Sequence, residues 1–223
     1  MSTVGRKASY YYLATDRLEF KTPSLLDLLR ALLQSWEPPV KIVVVCNARD
    51  SLDEVLTAVF AAVGERVAVS ALHSDMCEEE RNEILLAFTR SGASGILLST
   101  HTCLPHSHLC AHLLINYDLP HKKEAQLKRV QACLADADRE EGAAASSLAD
   151  QQKHQQLGPA DGGGASSIPA NGGITLIVIS FLHSPQQLKT MVGYCGGLPV
   201  KEIPLDVSEL RSESMQSSFA AAS

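Results

Sequence analysis

Long apolar runs are missing from this 223-residue chain. The longest, Ile42 to Cys46 and Ile174 to Ile179, are strand-sized, against the roughly 18 residues a membrane span requires. The segment Met1 to Tyr12 lacks the extended apolar core of a signal peptide. Paired cysteines are missing too: positions 46, 77, 103, 110, 133 and 195 are scattered without a CxxC, so reduced thiols are expected rather than a disulfide framework. There is no basic excess. Nineteen Lys and Arg against 25 Asp and Glu give a net charge of −6, which excludes a coat that holds nucleic acid by bulk phosphate neutralisation. No Gly-Lys pair occurs, so the phosphate-cradling loop GxxxxGK[ST] is absent from this chain. What is present is a 45% apolar composition, enough to build a core. These features predict a soluble intracellular protein, cytoplasmic or nuclear, with no membrane association.

Glycine marks the clearest boundary. Seven of the 14 glycines fall between Gly142 and Gly173, amid an Ala-Ser run and a Gln/His stretch. Such a composition has too little apolar surface to offset its ordering entropy, so residues 135–172 are predicted to be a disordered insertion. Residues 211–223 are predicted to be a flexible tail. The folded part is then 1–134 joined to a last strand and helix in 173–210.

Outside the insertion, short apolar β-branched runs recur at 40–46, 66–71, 95–99, 112–116 and 173–180. They do not alternate, as expected of strands covered on both faces. Helical patterns separate them. Thr22 is placed to cap a helix whose Leu25, Leu28, Leu29, Leu32 and Leu33 share a face. Ser51–Val63 aligns Leu52, Val55, Leu56, Val59 and Phe60, and Cys77–Arg90 aligns Ile84, Leu85 and Phe88. Pro185–Tyr194 runs into Gly196-Gly197, a stop signal. The alternation predicts an α/β fold of three layers, α/β/α, around a mainly parallel sheet.

Specific strings then become informative. His73-Ser74-Asp75-Met76, with Glu80-Arg81 and Phe88 behind it, resembles the HGDM segment of DEAD-box RNA helicases. Ile115 to Pro120 reproduces that family's INYDLP, and Cys46-Asn47-Ala48-Arg49 resembles its FxNTR. Tyr11 to Leu33, and Ile203 to Val207 followed by Leu210, resemble the beginning and end of the second lobe in the translation initiation factor 4A branch. The strings keep the family's order from about Tyr10 to Leu210, and the chain is identified as similar to the C-terminal RecA-like lobe, without the N-terminal lobe.

The resemblance implies ATP and magnesium chemistry, yet the motifs that carry it depart from the family. The motif V region, TD followed by ARGxD in the family, reads Thr100 to His108 here and keeps only the threonine. The slots of motif VI, HRxGRxxR, fall on Lys128, Arg129, Gln131, Ala132 and Ala135, so that Arg129 is the remnant of a nucleotide-contacting motif. One arginine finger is worth about 10³–10⁵ in rate, and two of the three slots hold alanine. No catalytic residue and no cofactor are therefore expected. Family RNA contacts map onto Arg49, Arg81 and Thr100, with Asn47 beside them. The Glu78-Glu79-Glu80 run and Glu83 would oppose phosphate near Arg81 unless they pair with it. Arg49 and Arg81 fit either an RNA contact or a solvated helix surface.

Two readings compete elsewhere. His101, Cys103, His106, His108, Cys110, His112 and His121 are residue types that suit zinc. No second pair of ligands sits on another element, so no metal is expected. Lys122-Lys123 with Lys128-Arg129 forms a basic patch, read as a solvated helix face or as a contact for phosphate or an acidic partner. His73 is expected to cap the following helix, and Cys46 to be an inert core thiol. The expectation for function is a degenerate DEAD-box lobe acting as a weak RNA-binding or protein-binding module. The partner would be RNA or an initiation-factor-like scaffold, without DNA specificity. The alternative is a second lobe of an ATP-dependent RNA helicase, assembled in trans with a separate ATP-binding lobe.

Overall fold

The β-branched runs of the sequence become strands of a single sheet. In order along the chain the elements are β1 (Ala8–Ala14), α1 (Lys21–Ser35), β2 (Lys41–Cys46), α2 (Arg49–Val63), β3 (Ala68–Leu72), α3 (Glu78–Arg90) and β4 (Gly95–Thr100). There follow β5 (Leu113–Asn116), α4 (Lys123–Cys133), β6 (Leu176–Leu182), α5 (Pro185–Tyr194) and β7 (Val200–Glu202). This computed structural model describes residues 8–36, 39–106, 109–134 and 175–210. The expected insertion, 135–172, and tail, 211–223, lie outside the described residues. So does His108.

The seven strands are ordered β3-β4-β2-β5-β6-β1-β7, and every described pairing is parallel. β2 shows why. Its six residues are all buried, with Ile42, Val44 and Cys46 packing toward α1 and α2 while Val43 and Val45 pack on the opposite face. Leu25, Leu28, Leu29 and Leu32 of α1 and Leu52, Val55, Val59 and Val63 of α2 fill the first side. Phe88 of α3, Val130, Ala132 and Cys133 of α4 fill the second, and Met191 of α5 closes a smaller cluster. The result is the predicted three-layer α/β/α arrangement.

Several local expectations are corrected. β1 and β7 were not anticipated: Ser9 and the three tyrosines of β1 are not an aliphatic run, and β7 is three residues long. α1 begins at Lys21, so Thr22 lies inside the first turn, and its Oγ1 lies 2.8 Å from the Tyr117 hydroxyl. α2 begins at Arg49, two residues earlier than expected, and Phe60 turns outward at 63% exposure. The cap of α3 is Cys77 rather than His73. Its Sγ accepts from the Glu80 N–H while the Glu80 carboxylate accepts from the Cys77 N–H. That is the reciprocal capping pattern, with cysteine in the usual serine place. Gly196 and Gly197 do end α5, at φ of +64° and +89°. Among the described residues no helix is long and apolar enough to cross a membrane.

Candidate functional site at the carboxyl rim of the sheet

Parallel strands carry all their carboxyl ends to one rim, where α/β proteins place their ligands. Thr100 pairs with Cys46 in register, and Asn116 with Val45. The ends of β4, β2 and β5 therefore lie side by side. Asn47, Arg49, Thr100 and Asp118 follow directly, and the α4 residue Arg129 reaches the same place.

Arg129 is fully buried, 0% exposed. One guanidinium nitrogen donates to Asn116 Oδ1 at 2.8 Å and to the Asp118 carbonyl at 2.7 Å, and the other donates to Asn47 Oδ1 at 2.6 Å. Burial pushes its pKa down to about 10, against the raising effect of Asp118, so it stays cationic at neutral pH. Around it, buried Asn116 donates to Gln126 Oε1 at 3.1 Å and to Ser180 Oγ at 2.9 Å. Asn47 is equally committed. Its side-chain amide donates to the Leu119 carbonyl at 3.0 Å, and its backbone N–H donates to Asp118 Oδ2 at 2.9 Å. The other Asp118 oxygen takes a hydrogen bond from Lys21 Nζ at 2.5 Å, and that ammonium sits 4.0 Å from the Tyr117 ring centre. These groups tie α1, β2, β5, β6 and α4 into one clasp. Two buried atoms of the clasp, Arg129 Nε and Gln126 Nε2, have no hydrogen-bond partner within the protein, a cost that a low-dielectric setting raises.

Asn47 and Arg129 thus spend their polar atoms inside the protein. Arg49 and Arg81 lie at the outer rim. The Arg49 Nε–H lies 2.8 and 2.9 Å from the two Asp53 oxygens, and Nη1 donates to Asp75 Oδ2 at 2.8 Å. Arg81 Nε donates to the Cys77 carbonyl at 3.4 Å, one turn back in α3. Thr100 is 7% exposed, with Oγ1 3.3 Å from Thr102 Oγ1.

Among the described residues no three His, Cys, Asp or Glu side chains are placed to hold a metal ion. His112 Nδ1 instead accepts the Lys41 backbone N–H at 3.1 Å, stitching β5 to β2. His101 is held below its ordinary pKa by burial, then by the nearby Arg129, Lys128 and His121 cations. The basic patch divides: Lys122 and Lys123 are exposed, whereas Arg129 faces the core. The Cys46 thiol is buried and pushed up to about 12, chiefly by that burial.

Sequence reasoning missed most of the clasp. Lys21 carried no signal. Asn116 could have been suspected as a polar residue ending an apolar strand, Ser180 as a polar residue inside one, and Gln126 as a polar residue one turn before Arg129 on the inner face of α4. Buried polar side chains are hydrogen-bonded almost without exception.

Residues 24–133 match the helicase conserved C-terminal domain. The ATP-dependent RNA helicase eIF4A of Saccharomyces cerevisiae (strain YJM789) is 32% identical over 121 residues, covering 54% of this chain and 28% of that protein. The chain thus spans little more than a quarter of that relative. The fold matches S. cerevisiae Dbp5 bound to RNA and ADP BeF3 with a TM-score of 0.65 at 15% identity, covering 95% of this chain and 46% of that one. It also matches the C-terminal domain of the DEAD-box protein Dbp5 (TM-score 0.59, 17% identity, 95% and 99% coverage). E. coli DEAD-box protein SrmB, bound to the regulator of ribonuclease activity A, gives 0.60 at 20% identity, with 93% and 95% coverage. At these identities the solved structures establish the fold. Residues 24–133 of this chain carry the helicase conserved C-terminal domain, in a fold shared with the C-terminal lobe of DEAD-box proteins.

Proposed function

We propose that this lobe is a binding module without nucleotide hydrolysis of its own, engaging RNA weakly at its outer rim. The observation that carries the reading is the position of Arg129. A guanidinium that stabilises a transferring phosphoryl group must reach it, whereas this one is fully buried and donates to Asn116, Asp118 and Asn47. Ala132, at another arginine slot, is 2% exposed. These residues do not fit the phosphates of ATP with its magnesium. At the rim, Arg49, Arg81 and Thr100 stand in the slots of the family's backbone contacts, but Asp53 and Asp75 pair with Arg49, and Glu78 to Glu80 directly precede Arg81 in the sequence. That charge balance favours weak RNA binding.

An initiation-factor-like scaffold protein is the second reading. SrmB and Dbp5 have both been solved with protein partners, which supports it. The test measures ATP hydrolysis by the purified chain alone, with single-stranded RNA, and with a separate DEAD-box ATP-binding lobe added. Background turnover throughout is expected. RNA-stimulated turnover in the first two mixtures would overturn the reading, and turnover gained in the third would establish assembly in trans. In parallel, RNA affinity measured against salt should fall with a slope shallower than about −1.4, the value for two phosphates on a single strand.

A further inference from the structure

Arg49 carries a consequence for that rim, and the inference rests on the weak RNA-binding reading. We propose that Asp53 and Asp75 form an intramolecular clamp that holds Arg49 away from phosphate, setting the RNA affinity of this lobe.

Arg49 is the first residue of α2, and Asp53 stands one turn further along the same helix. Asp75 comes from the connection between β3 and α3, two strands away in a sheet ordered β3-β4-β2. The two carboxylates therefore approach the guanidinium from different elements. Its Nε edge faces both oxygens of Asp53, at 2.8 and 2.9 Å, while Nη1 is taken by Asp75 at 2.8 Å. Ser74 Oγ donates to the second Asp75 oxygen at 3.1 Å, which steadies that side chain. An RNA phosphate offers the same oxygen acceptors as a carboxylate, and arginine recognises both through the same fork. A phosphodiester and these aspartates therefore compete for one set of N–H groups.

The clamp is displaceable. Side-chain exposures are 36% for Arg49, 51% for Asp53 and 72% for Asp75, so water reaches all three. One cation against two anions leaves the triad at −1, and an arriving phosphate meets net repulsion until a carboxylate is displaced. Exposed pairs contribute about 0.2–1 kcal/mol each, so displacing both lowers RNA affinity by about 2- to 30-fold.

Fluorescence anisotropy with a labelled single-stranded RNA at low salt tests this on the full chain. Asp53→Asn with Asp75→Asn keeps side-chain shape and removes both charges. The double variant should bind about 2- to 30-fold more tightly. Its salt slope should steepen by up to about 0.7, one extra neutralised phosphate on a single strand. Adding Arg49→Ala should abolish the gain. Glu65→Gln, beyond the far end of α2, removes an acidic charge away from the rim and should change little. Unchanged melting temperatures establish that the variants fold. If the wild-type chain binds RNA and the double variant binds no more tightly, the clamp is refuted. It is refuted equally if the gain survives Arg49→Ala or is matched by Glu65→Gln. Absence of RNA binding by both the wild-type chain and the double variant would overturn the RNA reading itself, and the clamp with it.

Discussion

Replacing Arg129 by alanine separates an internal clasp from a chemical group. If the guanidinium served only to reach a nucleotide, its removal would change stability by no more than about 0.5 kcal/mol, as for a surface position. The geometry demands far more. Alanine deprives Asn116 Oδ1, the Asp118 carbonyl and Asn47 Oδ1 of their donor. Hydrogen bonds to charged groups contribute about 1.5–3 kcal/mol each, so three give a gross loss of about 4.5–9 kcal/mol. Against this stands the relief of no longer burying a cation. A pKa held down near 10 by that burial corresponds to about 3 kcal/mol. The net expectation is a loss of about 2–6 kcal/mol, a large part of the roughly 5–15 kcal/mol available to a domain. Urea unfolding followed by far-UV circular dichroism measures it, with a slope of about 1–3 kcal/mol per molar for a small protein. Arg129→Lys should recover only a minor part, because an ammonium cannot span Asn116 and Asn47 with two separate nitrogens. The double variant Arg129→Ala with Asn47→Ala should lose less than the sum of the single losses, by about 0.5–3 kcal/mol, since both remove the same bond. A loss under 1 kcal/mol for Arg129→Ala with an unchanged denaturant slope would refute the reasoning.

Further expectations follow from the same structure. Stability should fall as pH drops below about 6.5, because unfolded His101 protonates near that value while the folded ring, with its lowered pKa, resists. Melting curves between pH 7 and 5 should flatten in His101→Asn. Native thiol titration should modify the exposed Cys77 and Cys110 promptly, whereas Cys46, Cys133 and Cys195, buried and with raised pKa values, should react only on unfolding. Leu29→Ala, at a fully buried position of α1, should cost about 2–5 kcal/mol. A cost below 1 kcal/mol would mean that α1 does not pack on the sheet as described.

The fold was legible where one interaction dominates. Four runs of Val, Ile and Leu read as doubly covered strands because nothing but burial explains such a composition, and the leucine stripe of α1 read as a buried face; the fifth run, 66–71, was also expected to be covered but became the half-exposed edge strand β3. β1 stayed hidden because Tyr10, Tyr11 and Tyr12 are amphipathic and only Tyr11 is buried. Phe60 misled in the opposite direction: helical spacing placed it inside, and it lies exposed on α2 while Leu52, Val55, Val59 and Val63 are buried. At the site, strings in family order located Asn47, Arg49, Arg81, Thr100 and Arg129 on one rim. Which of them face inward depends on distant partners, such as Asp118, 71 positions from Asn47, and Asn47, 82 positions from Arg129. Pairwise contacts of that range leave no periodic trace in a single sequence.

The seating of β1 has a consequence for how this chain is made. Its ladder partners are β6 and β7 alone, with Ala8 opposite Leu176 and Tyr12 opposite Glu202. A nascent chain that has emerged only through β5 holds β1 without any partner and β5 with an open edge, both bordered by apolar side chains. At about 5–20 residues per second, the synthesis that separates β1 from β6 lasts roughly 8–34 s. For that interval the tyrosine strand waits, and unpaired edges of this kind invite intermolecular pairing. Completion of the sheet is therefore a late event in the life of each molecule. A chain cut off before Leu176 would leave the ribosome with its first strand still unpaired.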